Sequence, residues 1–221
     1  MKKMLETNLV DQIYSLLKEK IISCELKTGQ RIDINGLTRE LNVSQTPIRE
    51  VVNRLTKEGL VANIPQKGFY VVKLEKVDLE EIYELRQLIE CYALEYAIQN
   101  VEVGKFQELL SRIKSLRKLI NNNKQEENFN SMDEELHFAI VNNSSNRRLR
   151  QIYSETYDVI KIIKNIGDSK LEYSKYIDEH IELIEAILEK NLSNAKRILK
   201  THINGALKRV VQTIDNISDS I

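Results

Sequence analysis

Beyond Gly68 the chain continues to residue 221 with three glycines and no proline. Proline removes a backbone donor and clashes with the preceding turn, and glycine weakens a helix interior. A long stretch nearly free of both is open to continuous helix. Apolar residues recur there at intervals of three and four, the spacing of one helical face. They place helices near 78–100, 102–122, 125–142, 146–165, 170–190 and 193–216. Asn121-Asn122-Asn123, Asn142-Asn143-Ser144-Ser145 and Gly167-Asp168-Ser169 are the polar breaks between them. Connections this short predict an antiparallel all-helical bundle.

The breakers crowd into the other end. Pro47, Pro65, Gly29, Gly36, Gly59 and Gly68 all lie in the first 75 residues. That end carries 12 Lys/Arg against 9 Asp/Glu, and the remainder carries 21 against 24. A compact, turn-containing domain over residues 1–75 followed by a helical domain over 76–221 accounts for both asymmetries. With 33 basic and 33 acidic residues the net charge is zero, which excludes a uniformly basic nucleic-acid coat but not a local basic patch. Two cysteines, Cys24 and Cys91, do not make a disulfide scaffold and fit a reducing cytoplasm. Met1-Lys2-Lys3-Met4-Leu5-Glu6 has no apolar core behind its charges, so it does not read as a secretory signal. Apolar runs such as Phe69–Val72 and Phe138–Val141 are far shorter than the ~20 residues that cross a bilayer. The expectation is a soluble, cytoplasmic protein with no membrane partner.

Within the first domain, Leu9, Ile13, Leu16, Leu17 and Ile21 predict a helix over 8–23. Thr28-Gly29-Gln30 turns the chain. Asp33 or Asn35 caps a short second helix whose inner face is Ile34, Leu37 and Leu41. Asn42-Val43-Ser44 is a tight turn, and Asn42 tolerates the left-handed backbone it needs. Ser44 caps a third helix, with Pro47 in its first turn, where no N–H is required. Ile48, Val51, Val52 and Leu55 form its buried face. Ser44, Gln45, Thr46, Arg49, Asn53 and Arg54 are left on the other side. Two β-prone runs, Leu60–Ile64 and Phe69–Lys73, flank a basic tip at Pro65-Gln66-Lys67-Gly68. This is the order of a winged helix-turn-helix, in which one helix enters the major groove and a hairpin reaches a neighbouring groove or the backbone.

The run from Leu37 to Val51, then Leu55, Glu58-Gly59-Leu60-Val61 and Gly68, closely resembles the DNA-binding domain of GntR-type bacterial repressors. Thr28-Gly29 departs from the family's usual Pro-Gly, and Thr38, Asn42, Val51 and Val52 replace common residues. None of these removes a DNA-facing group. The resemblance implies DNA contacts from Arg31, Arg39, Arg49, Lys67 and Gly68, with Ser44, Gln45 and Thr46 opening the recognition helix. Gln45 stands where relatives often carry arginine.

All three histidines lie in the helical domain. His137 is followed by Ile140 and Val141. His180 shares a stripe with Ile177, Ile184 and Ile187, and His202 lies with Ile198, Leu199 and Ala206. Each therefore points into the bundle. Asp133, four residues before His137, shares its face, and a buried aspartate needs a partner. One Asp and three His from three helices form a potential divalent-metal site. Hydrogen-bonded core histidines are the competing account, and separations of 43 and 22 residues match no local zinc motif.

Asp133-x-x-Leu136-His137, Asn146, Glu179-His180-x-x-Leu183-Ile184-x-Ala186 and His202-Ile203 resemble the ligand-binding domain of the FadR branch of GntR regulators, the FCD type. The resemblance implies a metal, zinc or nickel, on Asp133, His137, His180 and His202. The family also carries Arg-x-x-x-Glu, here Arg86 to Glu90. It implies an effector pocket near Arg86, for a small carboxylate that Asn146 also contacts. A salt bridge between Arg86 and Glu90 is the simpler account of that pair.

The sequence thus predicts a mostly α chain: a winged helix-turn-helix followed by a helical bundle for metal, effector and dimerisation. Its function is that of a homodimeric, non-enzymatic transcription regulator, a repressor by resemblance, bound to double-stranded operator DNA and controlled by a small organic acid. Two alternatives stand beside it. A metal-dependent hydrolase would need an open coordination position and a general base, for which Glu134 and Glu135 are nearby. A helical adaptor would keep only a vestigial DNA-binding domain, against which Arg49 and the Lys67-Gly68 tip argue.

Overall fold

The computed structural model describes residues 9–118, 126–166 and 173–218. Its elements run α1 (Leu9–Ile22), α2 (Ile34–Leu41), α3 (Gln45–Lys57), β1 (Val61–Ile64), β2 (Gly68–Val71), α4 (Lys76–Gln99), α5 (Val103–Lys118), α6 (Glu126–Asn142), α7 (Arg147–Ile166), α8 (Tyr173–Leu188) and α9 (Leu192–Ser218). The expected order of helices and hairpin is the observed one. Positions 119–122, 125 and 170–172 of the expected helices, and the breaks at 121–123 and 167–169, lie outside the described residues. By contacts the chain forms two compact units: Met1–Glu75 with Glu155–Gly167, and Lys76–Ser154 with Asp168–Ile221. The C-terminal part of α7 therefore belongs with the first unit rather than with the residues around it in sequence.

In the first unit α1 buries Ile13, Leu17 and Ile21, and α3, packed against it, buries Ile48, Val51, Val52 and Leu55. These are the residues whose three-and-four spacing defines each apolar face. Asn42 ends α2 in the left-handed region at φ 51°. Of the two candidate caps for α2, Asp33 holds the position, but its side chain makes no capping bond, contrary to expectation. The hairpin pairs β1 antiparallel to β2, from Val61 opposite Val71 to Ile64 opposite Gly68. Gln66 at φ 64° and Gly68 at φ 104° close its tip. Each strand has four residues rather than the expected five; Leu60 joins α3 to the hairpin, its N–H donating to the Leu55 carbonyl at 3.0 Å and its carbonyl accepting from the Val72 N–H at 3.0 Å. Lys18 Nζ reaches Asp158 Oδ2 at 2.6 Å, and Asn165 Nδ2 donates to the Ile22 carbonyl at 2.6 Å. These polar contacts join Asp158 and Asn165 of α7 to α1.

In the second unit α4 lies along α9, α8 packs on α5 and α9, and α6 contacts α4, α5 and α8. The buried stripe of α4 is Leu79, Tyr83, Arg86, Glu90, Ala93 and Ala97. It keeps helical spacing throughout, yet includes two charged residues. Phe129, Asp133, Leu136, His137 and Ile140 are buried on α6, Tyr176, Ile177, His180 and Ile184 on α8, and Ile198, Leu199, His202 and Ile203 on α9. Among the described residues no helix is long and apolar enough to cross a membrane.

Candidate functional site

Three helices of the second unit deliver four polar side chains to one buried point. Asp133 and His137 are one turn apart on α6, His180 projects from α8 and His202 from α9. Their ligand atoms all lie within 4.8 Å of one another, and all four residues are buried. His202 Nε2 is 3.3 Å from His137 Nε2 and 3.3 Å from His180 Nε2. Asp133 Oδ1 is 3.5 Å from His137 Nε2, 3.2 Å from His180 Nε2 and 3.8 Å from His202 Nε2. Zinc bonds of roughly 2.1 Å in a tetrahedron give ligand separations of about 3.4 Å. The observed spacings bracket that value. Phe129 stacks on the His180 ring at 5.5 Å and 15°, which restrains the ring's tilt.

The outward nitrogens of two rings meet carboxylates. His137 Nδ1 is 2.5 Å from Glu90 Oε2, and both residues are fully buried. His202 Nδ1 is 2.8 Å from Glu179 Oε2. Glu90 is the centre of a wider network. Its Oε1 accepts from Arg86 Nε at 2.7 Å and from the Tyr153 hydroxyl at 2.8 Å. Burial works to raise the Glu90 carboxyl, but the adjacent His137 and Arg86 outweigh it and hold the group down at about 2. Burial pushes His202 well below its ordinary range, and the neighbouring His180 and His137 add to that. The donor set is therefore two imidazoles backed by carboxylates, a third imidazole and one carboxylate oxygen. It is suited to a borderline divalent ion, and the residues present fit a metal.

The first unit carries a second candidate site. Arg31, Ile32, Asp33, Ile34, Asn35, Arg49, Gly68 and Phe69 line a cleft of about 520 Å³ beside the hairpin. The isolated bridge from Arg31 to Tyr70 sets Arg31 against the strand that begins at Gly68. Arg49 stands on the exposed face of α3.

These two sites match known families along most of the chain. The description "Bacterial regulatory proteins, gntR family" matches residues 9–71, and the FCD domain matches residues 81–205. The chain is a GntR-family transcriptional regulator with an FCD domain. It is 29% identical to the HTH-type transcriptional regulator YdhC of Bacillus subtilis, covering 87% of each chain. It is 25% identical to the Nta operon transcriptional regulator of Aminobacter aminovorans, covering 87% of this chain and 90% of that one. The fold is shared with a GntR regulator from Rhodococcus sp. RHA1, at TM-score 0.75 and 19% identity over 92% of this chain and 97% of that one. It is also shared with a metal-free FCD domain, at TM-score 0.57 and 24% identity over 65% of this chain and 99% of that one.

The regulator's sequence-predicted residues fall into groups. Arg31, Arg49 and Gly68 converge on the cleft. Arg39, Thr46 and Lys67 are exposed. Ser44 occupies the cap position of α3 in extended backbone, but its side chain makes no capping bond, contrary to expectation. Gln45 Nε2 donates to Asn35 Oδ1 at 2.7 Å, tying α3 to α2. Arg54, read from sequence with the outer face of α3, lies over the Tyr14 ring at 3.7 Å and pairs with Asp11 and Glu58. Arg86 makes the salt bridge to Glu90. Asn146 is exposed, and its Oδ1 accepts from the Arg148 and Leu149 backbone N–H groups at 3.1 and 3.2 Å. That makes it the N-cap of α7, so the structure gives its side chain a capping role and does not place it in the buried cluster.

Sequence reasoning assigned no site role to Glu90, Glu179, Tyr153 or Arg209. Glu90 had a signal: two charges inside the Leu79–Ala97 stripe imply a buried polar network. Tyr153 and Arg209 had none, since their relevance depends on which helices meet. The Arg209 guanidinium lies 3.6 Å over the Tyr176 ring, in the same electrostatic surroundings as Tyr83 and Asp133.

Proposed function

We propose that this regulator binds an operator through its first 75 residues, and that residues 76–221 bind a divalent metal, zinc or nickel, and a small organic acid that controls DNA affinity. The buried convergence of three Nε2 atoms and one Asp133 oxygen carries the reading. Asp133, His137, His180 and His202 would hold the metal. A bound metal supplies local positive charge to which a carboxylate can be attracted. Arg86 adds its charge to that region, because it acts on His202, and Arg209 adds a second guanidinium. Fork-shaped cations suit a carboxylate. On the DNA side, Arg31, Arg49 and Gly68 line one cleft, and Arg39, Thr46 and Lys67 are open to phosphates or base edges.

The protein acts as a homodimer, so that paired recognition helices read a roughly two-fold symmetric operator. The reading includes no turnover: the relatives matched along the chain are transcriptional regulators, and Glu135, one of the two candidate bases for a hydrolase, is bonded to Arg112 at 3.0 Å. Elemental mass spectrometry of the purified protein beside His180→Ala tests the reading. About one transition metal per chain in the wild type, reduced in the variant, is the expected result. No uptake by either protein after loading with zinc or nickel overturns the metal assignment. Salt-sensitive binding to the DNA upstream of its own coding region separates the regulator from an adaptor.

A further inference from the structure

We propose that Glu90, held by Arg86 and Tyr153, is the positioning residue that sets which nitrogen of His137 faces the donor cluster. The proposal rests on the metal reading above and concerns residues outside its four ligands. A carboxylate can only accept, so the 2.5 Å contact of Glu90 Oε2 with His137 Nδ1 places the ring proton on Nδ1. A neutral imidazole has one N–H, so Nε2 is left as a lone pair. Glu179 does the same for His202 at 2.8 Å. Two lone pairs then face each other across 3.3 Å, with the Asp133 carboxylate 3.5 Å from one and 3.8 Å from the other. Such acceptors repel one another unless a cation or a donated proton lies among them, and in the absence of metal His180 Nε2, 3.2 Å from Asp133 Oδ1 and 3.3 Å from His202 Nε2, is placed to donate one. The outer carboxylates thus prepare the inner nitrogens as ligands before any ion arrives.

Glu90 needs support for this task, because an isolated buried carboxylate would be costly. Arg86 Nε supplies charge at 2.7 Å and Tyr153 supplies a hydroxyl proton at 2.8 Å, both to Oε1. Oε2 is thereby directed to the ring. Arg86 then serves the metal centre through Glu90, a role distinct from direct effector binding. The two outer carboxylates differ: Glu90 is completely enclosed, and the Glu179 side chain keeps 15% of its exposure. Water can substitute more readily at Glu179.

The test uses the full-length protein, zinc alone as the probe, and two readouts. Chelator competition gives zinc affinity, and long-range nitrogen-15 NMR of the metal-free protein gives each ring's tautomer. Glu90→Gln is expected to weaken zinc binding by about 10- to 100-fold, the usual effect of losing an outer partner. It should convert His137 from the Nδ1–H form to a mixture while His202 keeps its form. Glu90→Asp keeps the charge but withdraws the carboxylate by one carbon, and should show the same two changes more weakly. It carries the test if Glu90→Gln does not fold. Glu179→Gln should alter His202 alone, with the smaller loss of affinity. Unchanged zinc affinity and an unchanged His137 tautomer in a folded Glu90 variant overturn the proposal. A wild type that binds no zinc overturns the metal reading instead, and the tautomer readout still decides whether Glu90 orients the ring.

Discussion

Asn146 shows how a residue's job depends on the atoms nearest to it. By resemblance it belongs to an effector pocket, yet its side chain accepts from two backbone donors at the start of α7. Asn146→Ala is therefore expected to cost about 1 kcal/mol of stability, the usual value of a lost N-cap. Chemical denaturation of the metal-loaded protein checks this, and metal content should not change. Arg54 makes the same point within the DNA-binding unit. Its charge counts toward the basic half of the sequence, but its guanidinium is engaged by Tyr14, Asp11 and Glu58. Arg31 and Arg49 are the arginines that line the cleft. Sequence periodicity placed all four metal-ligand candidates inside the bundle, and it did so because each sits on an apolar stripe. It did not find Glu179 or Tyr153 as partners, since a hydrogen bond between helices leaves no spacing to read.

Among the helices, α4 has two faces with different work. One carries Arg86 and Glu90 into the second unit's core. The other leaves Leu85, Leu88 and Tyr92 exposed at 39%, 62% and 44%. These three recur at helical spacing, and an exposed apolar stripe of this kind marks an interaction surface. In the homodimer proposed above, a two-fold axis would set this face of α4 against its own copy. Leu88→Asp is expected to shift the protein from dimer to monomer in analytical ultracentrifugation. Affinity for a symmetric operator should fall at least tenfold, while zinc content stays the same. A dimer unchanged by the substitution would move the interface elsewhere. The short β1–β2 hairpin was legible from Pro65 and Gly68. Its length was not, because where regular pairing stops depends on how Leu60 bridges the end of α3 and Val72.

For the molecule as a whole, the buried cluster makes stability depend on pH. In the metal-free protein His202 is held neutral, first by burial and then by His180 and His137. Arg86 acts in the same direction, whereas Asp133 opposes it; Glu179 meets the ring's outer nitrogen. A histidine whose folded value lies below its unfolded one gains protons on unfolding. Its contribution is complete above about 6.5 and is lost as the pH falls through the folded value. Glu90 adds a second loss at lower pH, from about 4.5 down toward 2. The melting temperature after chelation is expected to fall from pH 7 to pH 5, and again below pH 4.5. A melting temperature that is flat between pH 7 and pH 5 would show that His202 is not kept neutral. Zinc should be released over the upper interval, since protons and metal compete for the same nitrogens.

Periodicity and breakers are local properties, and they were enough for the helical character, the hairpin, the helix-turn-helix and the inward aim of Asp133, His137, His180 and His202. Each follows from side chains three or four apart, or from a residue's own backbone preference. The meeting of α4, α6, α7, α8 and α9 is a different kind of fact. It sets Glu90 on His137 across 47 residues of sequence and Tyr153 on Glu90 across 63. Contacts with α1 likewise assign residues 155–166 to the first unit. Long-range packing decides such contacts because they are made through space between helices whose mutual placement no local pattern specifies.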